Sequence, residues 1–157
     1  MKFDVVVGNP PYQEENVGSN NQATPVYNYF YDLAEHVSRK YILISPARFL
    51  SNQGATPKAW NKKMLNDEHL NIKYFCARSS EVFPNVDVKG GVVVLYRDQE
   101  RKFGAIETFI PFEALRRIYH KVNKITSDNI SSFVYSPDSY RFTDYLFEDH
   151  HELIGRT

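Results

Sequence analysis

Apolar runs and amphipathic segments alternate along the first hundred residues of the chain. Residues 3–7 form a short apolar run with β-branched side chains, which predicts a strand buried on both faces of a sheet. Residues 25–40 have the spacing of an amphipathic helix that begins at Pro25, and residues 41–45 predict a second buried strand that ends at Pro46. The apolar face predicted for this helix consists of Tyr27, Phe30, Leu33, Ala34 and Val37. Strand, helix and strand in this order indicate an α/β fold.

The third and fourth predicted strands differ from the first two in how they are connected. A helix is predicted over residues 57–66, followed by strands over residues 72–77 and 91–96. The link between these two strands holds no segment of helix length, so the strands must be antiparallel neighbours. We therefore expect an α/β fold whose mostly parallel sheet ends in an antiparallel hairpin and is flanked by helices.

The remaining residues make up a less regular extension. A strand is predicted over residues 106–110 and a helix from Phe112 to about Lys124, followed by a polar tail that contains aromatic residues. The tail lacks an apolar pattern that would indicate a core of its own. We therefore assign residues 1–100 to one functional domain and residues 101–157 to an extension that leads toward a further region.

Composition narrows the classes of function only slightly. The 157 residues carry 19 basic and 19 acidic side chains, so any contact with a nucleic acid must be local rather than driven by net charge. The single cysteine, Cys76, excludes an internal disulfide and agrees with a reducing cytoplasm. No apolar run approaches the length of a signal sequence or a membrane span, and we expect a cytoplasmic protein.

The segment Asn9-Pro10-Pro11-Tyr12 directly follows the first strand and is the strongest candidate for chemistry. In α/β folds, ligands bind at the carboxyl ends of strands, where this segment lies. The side-chain oxygen of Asn9 and the backbone carbonyl of Pro10 can accept both hydrogens of an aromatic amine. This contact favours a pyramidal nitrogen whose lone pair points toward an electrophile. The catalytic contribution is then orientation and electrostatics, without a covalent intermediate.

The prolines and the tyrosine of this segment support the same interpretation. Pro10 and Pro11 restrict the backbone and remove competing N–H donors, and Tyr12 offers a flat face on which an extruded base can stack. The alternative is a structural Pro-Pro turn that closes a strand, in which Asn is a turn former and Tyr is an exposed aromatic residue.

Two blocks of the sequence together resemble one family of enzymes. Residues 3–13, FDVVVGNPPYQ, resemble motif IV of the amino-methyltransferases in the version found in adenine-N6 DNA methylases. Residues 81–94, EVFPNVDVKGGVVV, resemble the late hairpin of the gamma-class methylases of restriction-modification systems, particularly the Eco57I-like family. Residues 41–50 are similar to the family's following strand. The resemblance covers residues 3–98, which correspond to the C-terminal half of the family's catalytic domain, and fades beyond Arg97. It implies that residues 101–157 are an extension that leads toward a target-recognition region.

The resemblance implies a fold, a reaction and roles for particular residues. It implies part of a Rossmann-like methyltransferase domain that transfers a methyl group from S-adenosylmethionine to adenine N6 of double-stranded DNA. Asn9, Pro10, Pro11 and Tyr12 then form the catalytic segment, and Tyr12 and Phe83 stack on the flipped adenine. The family's cofactor-binding motif precedes motif IV and is absent from this sequence, so the cofactor-binding residues are unknown and we expect the chain alone to be inactive.

A missing N-terminal half has a structural consequence. The first strand becomes a sheet edge, with unpaired N–H and C=O groups beside apolar surface. We therefore expect the isolated chain to self-associate through residues 3–7.

Two other functions stay open on the sequence alone. Protein-glutamine methyltransferases also carry Asn-Pro-Pro-Tyr and act on a planar amide nitrogen, and a non-catalytic remnant would only bind a partner or DNA. Asp87-Val88-Lys89 has the final spacing of a metal-dependent nuclease site but lacks its upstream partner, and His150-His151 does not complete a coordination shell. We therefore predict no metal site. Candidates for phosphate contact on the last predicted helix are Arg116, Arg117, Lys121 and Lys124.

Overall fold

The chain forms two compact units, Met1–Phe112 and Glu113–Thr157. The computed structural model describes residues 3–14, 24–84, 87–126, 128, 130–135 and 145–153. These units reflect packing, and the assignment of residues 1–100 and 101–157 to different functions stays a prediction.

The first unit contains four strands and two helices in its described part, and the second contains two helices. In the first unit these elements are β1 (Phe3–Gly8), α1 (Tyr27–Val37), β2 (Ser38–Pro46), α2 (Lys58–Asn66), β3 (Leu70–Cys76) and β4 (Val92–Asp98). In the second unit they are α3 (Glu113–Asn123) and α4 (Tyr145–Asp149). The predicted first four strands and first three helices are therefore confirmed, with boundaries that shift by a few residues.

The sheet of the first unit is mixed, with the strand order β1-β2-β4-β3. β1 and β2 pair in parallel, whereas β4 is antiparallel to both of its neighbours, β2 and β3. The predicted antiparallel pair at the end of the sheet is confirmed. The prediction of a mostly parallel sheet is wrong for the described strands, because β4 inserts between β2 and β3 and makes two of the three pairings antiparallel.

The hydrophobic core of the first unit lies on one face of the sheet, where α1 and α2 pack. The buried apolar side chains that these two helices contribute are Tyr27, Tyr31, Ala34, Trp60 and Met64. The sheet contributes alternate residues of β2 and β4, as expected for strands that bury one face. Aromatic rings dominate the contacts between α1 and α2, with Tyr31 and Trp60 at 5.8 Å between ring centroids.

The buried face of α1 differs from the predicted one. Phe30 and Leu33 are 38% and 55% exposed, so the prediction that they belong to the buried face is wrong. Tyr31 occupies the core instead, and its hydroxyl lies 2.9 Å from the Oγ atom of Ser45. Because this polar group has a buried partner, the ring can be buried without leaving an unsatisfied hydroxyl.

β1 is more exposed than its apolar sequence predicts. Phe3, Val5 and Val7 point to the face opposite α1 and α2 and are 53%, 50% and 69% exposed. Only Val6, on the other face, packs against the core. The prediction of a strand buried on both faces is therefore wrong, because β1 is an edge strand and the helices of this unit cover only one of its faces.

Residues 106–110 do not form the predicted strand. Glu107 adopts a φ of +53°, a left-handed conformation that interrupts an extended ladder. Its backbone N–H donates to the carbonyl of Leu65 on α2 instead of to a strand. The segment still packs on the core, because the Phe109 ring lies 4.9 Å from the ring of Phe75. The apolar residues of this segment therefore pack against the core without forming a strand of the sheet.

The start of β4 depends on a glycine at position 91. Gly91 has a φ of +80°, and a Cβ atom there would overlap the carbonyl oxygen of Cys76 and lie 2.8 Å from the Cα atom of Ala77. The Gly91 carbonyl accepts a hydrogen bond from the N–H of Ala47 at 2.9 Å. This close approach joins the turn before β4 to the ends of β2 and β3.

We predict that Gly91→Ala lowers the free energy of unfolding by about 3 kcal/mol, because it adds both backbone strain and a steric overlap. Gly104→Ala is the matched control, since Gly104 has a φ of +87° with open space around its Cα atom. The control should lose only about 1 kcal/mol. Urea denaturation followed by the fluorescence of Trp60 measures both values, and equal losses would contradict the proposed overlap.

Candidate active site

Three chain segments meet at one edge of the sheet. Residues 9–12 follow the carboxyl end of β1, and a 3₁₀ turn, Arg48–Ser51, follows the carboxyl end of the parallel neighbour β2. Because β4 runs in the opposite direction, the link that precedes it, including residues 87–89, reaches the same edge. This is the edge at which α/β folds bind ligands.

The three segments surround an open cavity of about 680 Å³. All four residues of the Asn9–Tyr12 segment line it. The other lining residues are Gln13, Pro25, Tyr27, Pro46, Arg48, Asp87, Val88 and Lys89. The volume is in the range of small-molecule pockets and accommodates a single base with its sugar.

The four residues of the segment differ in exposure in a way that suits a pocket corner. Pro10 is buried, Asn9 and Pro11 are exposed, and Tyr12 is half-buried. Because Pro10 is buried, it fixes the backbone next to Asn9, and the exposed amide of Asn9 stays accessible from the cavity. Their roles in catalysis stay a prediction.

Tyr12 is held in place by contacts of its backbone and of the residue that follows it. Its carbonyl accepts a hydrogen bond from the N–H of Val26 at 3.2 Å, and Gln13 pairs with Pro25 in an antiparallel bridge. The hydroxyl of Tyr12 is buried and has no hydrogen-bond partner among the described residues. Burial raises the pKa of Tyr12, and the adjacent Asn9 amide partly offsets the rise. The phenol therefore stays protonated at neutral pH.

Buried aromatic residues support the floor of the cavity. Tyr27 lines the cavity and contacts Phe49 and Trp60, whose ring centroids lie 6.2 Å and 6.0 Å from its own. Burial raises the pKa of Tyr27, while a hydrogen bond with Thr56 and the positive charge of Arg48 oppose the rise. The Arg48 charge therefore acts close to the phenol on the cavity floor.

Phe83 is not among the residues that line the cavity. It is half-buried, and its backbone N–H donates to the carbonyl of Ser79 at 2.7 Å. Its predicted stacking on a base stays a prediction. From the same link, the structure instead brings Asp87, Val88 and Lys89 to the cavity.

Sequence reasoning missed Arg48 as a cavity residue. The signal was its position directly after Pro46 and Ala47, at the end of the strand that follows Asn9–Tyr12 in sequence. Once β1 and β2 are parallel neighbours, residues after both strands meet at the same edge.

The described residues contain no group of three His, Cys, Asp or Glu side chains that could hold a metal ion. The Nδ1 atom of His150 lies 3.0 Å from a carboxylate oxygen of Glu152 in the second unit. Within the part of the chain that the structure covers, no helix has both the length and the apolarity needed to cross a bilayer.

Comparison with known proteins identifies similar sequences. The family model of the Eco57I restriction-modification methylase matches residues 1–83, which is more than half of the chain. The chain is also 35% identical over 96 residues to an uncharacterized adenine-specific methylase of Mycoplasma pneumoniae (strain ATCC 29342 / M129 / Subtype 1). The aligned region is 59% of this chain but spans only 22% of the relative's length. No solved structure gives a significant match.

We predict that Tyr12→Phe changes the free energy of unfolding by less than about 0.5 kcal/mol, because the hydroxyl that it removes has no partner in the described structure. Tyr31→Phe is the matched control, since it removes the 2.9 Å hydrogen bond with Ser45 and should cost about 1 kcal/mol. Chemical denaturation measures both. A loss for Tyr12→Phe as large as that of the control would show that its hydroxyl is bonded after all.

Proposed function

Since the chain belongs to the Eco57I restriction-modification methylase family, we propose that it supplies the target-base pocket of an S-adenosylmethionine-dependent DNA adenine-N6 methyltransferase. The observation that carries the proposal is the cavity at the end of β1, which all four residues of Asn9–Tyr12 line. The name of the Mycoplasma pneumoniae relative, an adenine-specific methylase, favours adenine over an amide nitrogen as the target.

The proposed mechanism uses Asn9 and Pro10 to orient the amine of an extruded adenine. The amino nitrogen is a poor nucleophile because its lone pair is delocalised into the ring. Hydrogen bonds from the amine to the Asn9 side-chain oxygen and the Pro10 carbonyl favour a pyramidal nitrogen with a directed lone pair. The half-buried ring of Tyr12 offers the stacking surface that holds the base in this orientation.

The groove next to the Asn9–Tyr12 segment lacks the charged groups that would bind S-adenosylmethionine. A second groove borders Asn9, Pro10 and Pro11 on the side of β1 and α1, and its lining contains no charged side chain. It offers neither a carboxylate for ribose hydroxyls nor a cation for the methionine carboxylate. We therefore propose that the cofactor binds mainly to residues outside this chain, and that the chain alone does not methylate DNA.

We predict that the chain methylates an adenine-containing duplex when it is joined to an upstream half of the family's catalytic domain. In that protein, Asn9→Ala should lower the methylation rate about 100-fold, the usual effect of removing one preorganised polar contact in an active site.

Transfer of tritiated methyl groups to DNA measures the rate, and circular dichroism reports whether the variant folds. Gln13→Ala is the matched control, because Gln13 is an exposed neighbour at the same cavity and has no assigned role. A folded Asn9→Ala enzyme with the control's rate would remove Asn9 from the mechanism, and an inactive joined protein would contradict the proposed reaction.

We further propose that the exposed edge and face of β1 dock the N-terminal half in a full-length enzyme. β1 pairs with one strand only in the described sheet, and its C-terminal residues line an apolar groove. The groove includes Val7 of β1 and the exposed Phe30 and Leu33 of α1. In the isolated chain, a second copy would cover this apolar surface.

We predict that the isolated chain forms dimers or larger species at micromolar concentration and that Val7→Lys shifts it toward the monomer. A lysine on an edge strand opposes strand addition because its charge must then be buried. Val122→Lys on α3 is the matched control, because Val122 is also an exposed valine. Multi-angle light scattering gives the mass, and a monomeric wild-type chain would refute this association.

A further inference from the structure

The stem of the exposed Arg48 side chain lies close to two glycines. A Cβ atom on Gly90 would lie 2.5 Å from Cγ of Arg48, so only a residue without a side chain leaves room for the arginine stem. Gly54 is also close to the aliphatic stem of Arg48. A Cβ atom on Gly54 would lie 3.5 Å from the Cβ atom of Arg48, which is an ordinary contact distance. The stem is thus confined at the wall of the cavity that Asn9–Tyr12 line.

Within the described part of the chain, the guanidinium of Arg48 has no ionic partner, unlike the other arginines of the first unit. In that unit Arg39, Arg78, Arg97 and Arg101 each form an ion pair with an aspartate or glutamate. Arg48 forms no ion pair with any described carboxylate, although it lines a cavity that also contains Asp87. A confined and unpaired cation at a cavity wall is arranged to bind an anion that comes from outside.

We propose that Arg48 binds the backbone phosphate next to the target nucleoside and so positions the extruded base in the cavity. This inference rests on the proposed function, because it assumes that the cavity receives a nucleotide. Arg48 is then a positioning residue, which acts on the chain of the nucleic acid while Asn9 acts on the base.

The charges around the cavity agree with this assignment. Among the described residues that line it, the charged side chains are Arg48, Lys89 and Asp87, which together carry a net charge of +1. Lys89 likewise has no ion pair with a described residue, so a second cation stands near the first. The chain as a whole has a formal net charge of zero, so this positive site is a local feature of the cavity. An uncharged glutamine side chain as substrate would bring no anion to Arg48.

The test compares three ligands by NMR titration of the isotopically labelled chain in a phosphate-free buffer. The ligands are 2′-deoxyadenosine, 2′-deoxyribose 5-phosphate and 2′-deoxyadenosine 5′-monophosphate. We expect the monophosphate to bind about tenfold more tightly than the nucleoside, as one charge-assisted contact allows. Arg48→Gln, which keeps most of the stem and removes the charge, should abolish that difference and leave nucleoside binding unchanged.

A second variant tests the role of the glycine contact without touching the arginine. Gly90→Ala forces the Arg48 stem to move and should also abolish the preference for the phosphate. Gly104→Ala is the matched control, because Gly104 has a φ of +87°, close to the +86° of Gly90, but no neighbour within 4 Å. The control separates displacement of Arg48 from backbone strain alone, and its ligand preference should equal that of the wild type.

The outcomes distinguish this inference from the proposed function. If Arg48→Gln keeps the full preference for the monophosphate, or if neither phosphate-bearing ligand binds the wild-type chain, the assignment of Arg48 is overturned. If deoxyribose phosphate binds as tightly as the monophosphate and depends on Arg48, the phosphate site stands and the adenine pocket is refuted. If the nucleoside binds but the phosphate adds nothing, the pocket stands and the Arg48 site falls.

Discussion

The reversed direction of β4 brings the parts of the candidate site together. β4 pairs with β2 along its whole length and with β3 from Val92 to Arg97, so its first residue, Val92, lies beside Pro46 and Cys76 at the ends of both. The link before β4 therefore lies at the same edge of the sheet as the Asn9–Tyr12 segment. The contact of Gly91 with the end of β3 keeps that link close to the sheet, and the cavity wall formed by Asp87 and Lys89 depends on it.

The local half of this arrangement was predictable from the sequence, and the long-range half was not. An apolar run followed by Asn-Pro-Pro-Tyr places a rigid corner at a strand end, and the structure agrees on the strand and on the cavity beside it. Arg48 and Lys89 lie 39 and 80 residues after Asn9 in the sequence. Arg48 approaches Asn9 through the parallel pairing of β1 and β2. Lys89 depends instead on the insertion of β4 between β2 and β3, which no local pattern encodes.

Burial was the least predictable property, because an apolar sequence does not say which surface covers it. Phe3, Val5 and Val7 have the composition of a doubly buried strand, yet this chain covers only one face of β1. Tyr31 is not among the residues of the predicted apolar face, yet Ser45 satisfies its hydroxyl and the ring is fully buried. Backbone conformation was equally hidden from the sequence. The left-handed conformation of Glu107 prevents an otherwise suitable segment from joining the sheet.

The bridge between Gln13 and Pro25 joins two chain positions directly beside the Asn9–Tyr12 segment. The N–H of Glu14 also donates to the carbonyl of Thr24 at 2.9 Å, so residues 13–14 are joined to residues 24–25 by two neighbouring contacts. The entropic cost of closing a loop rises only slowly with its length. Insertions or deletions between Glu14 and Thr24 should therefore leave Tyr12 in register, because the paired backbone on either side of them stays joined.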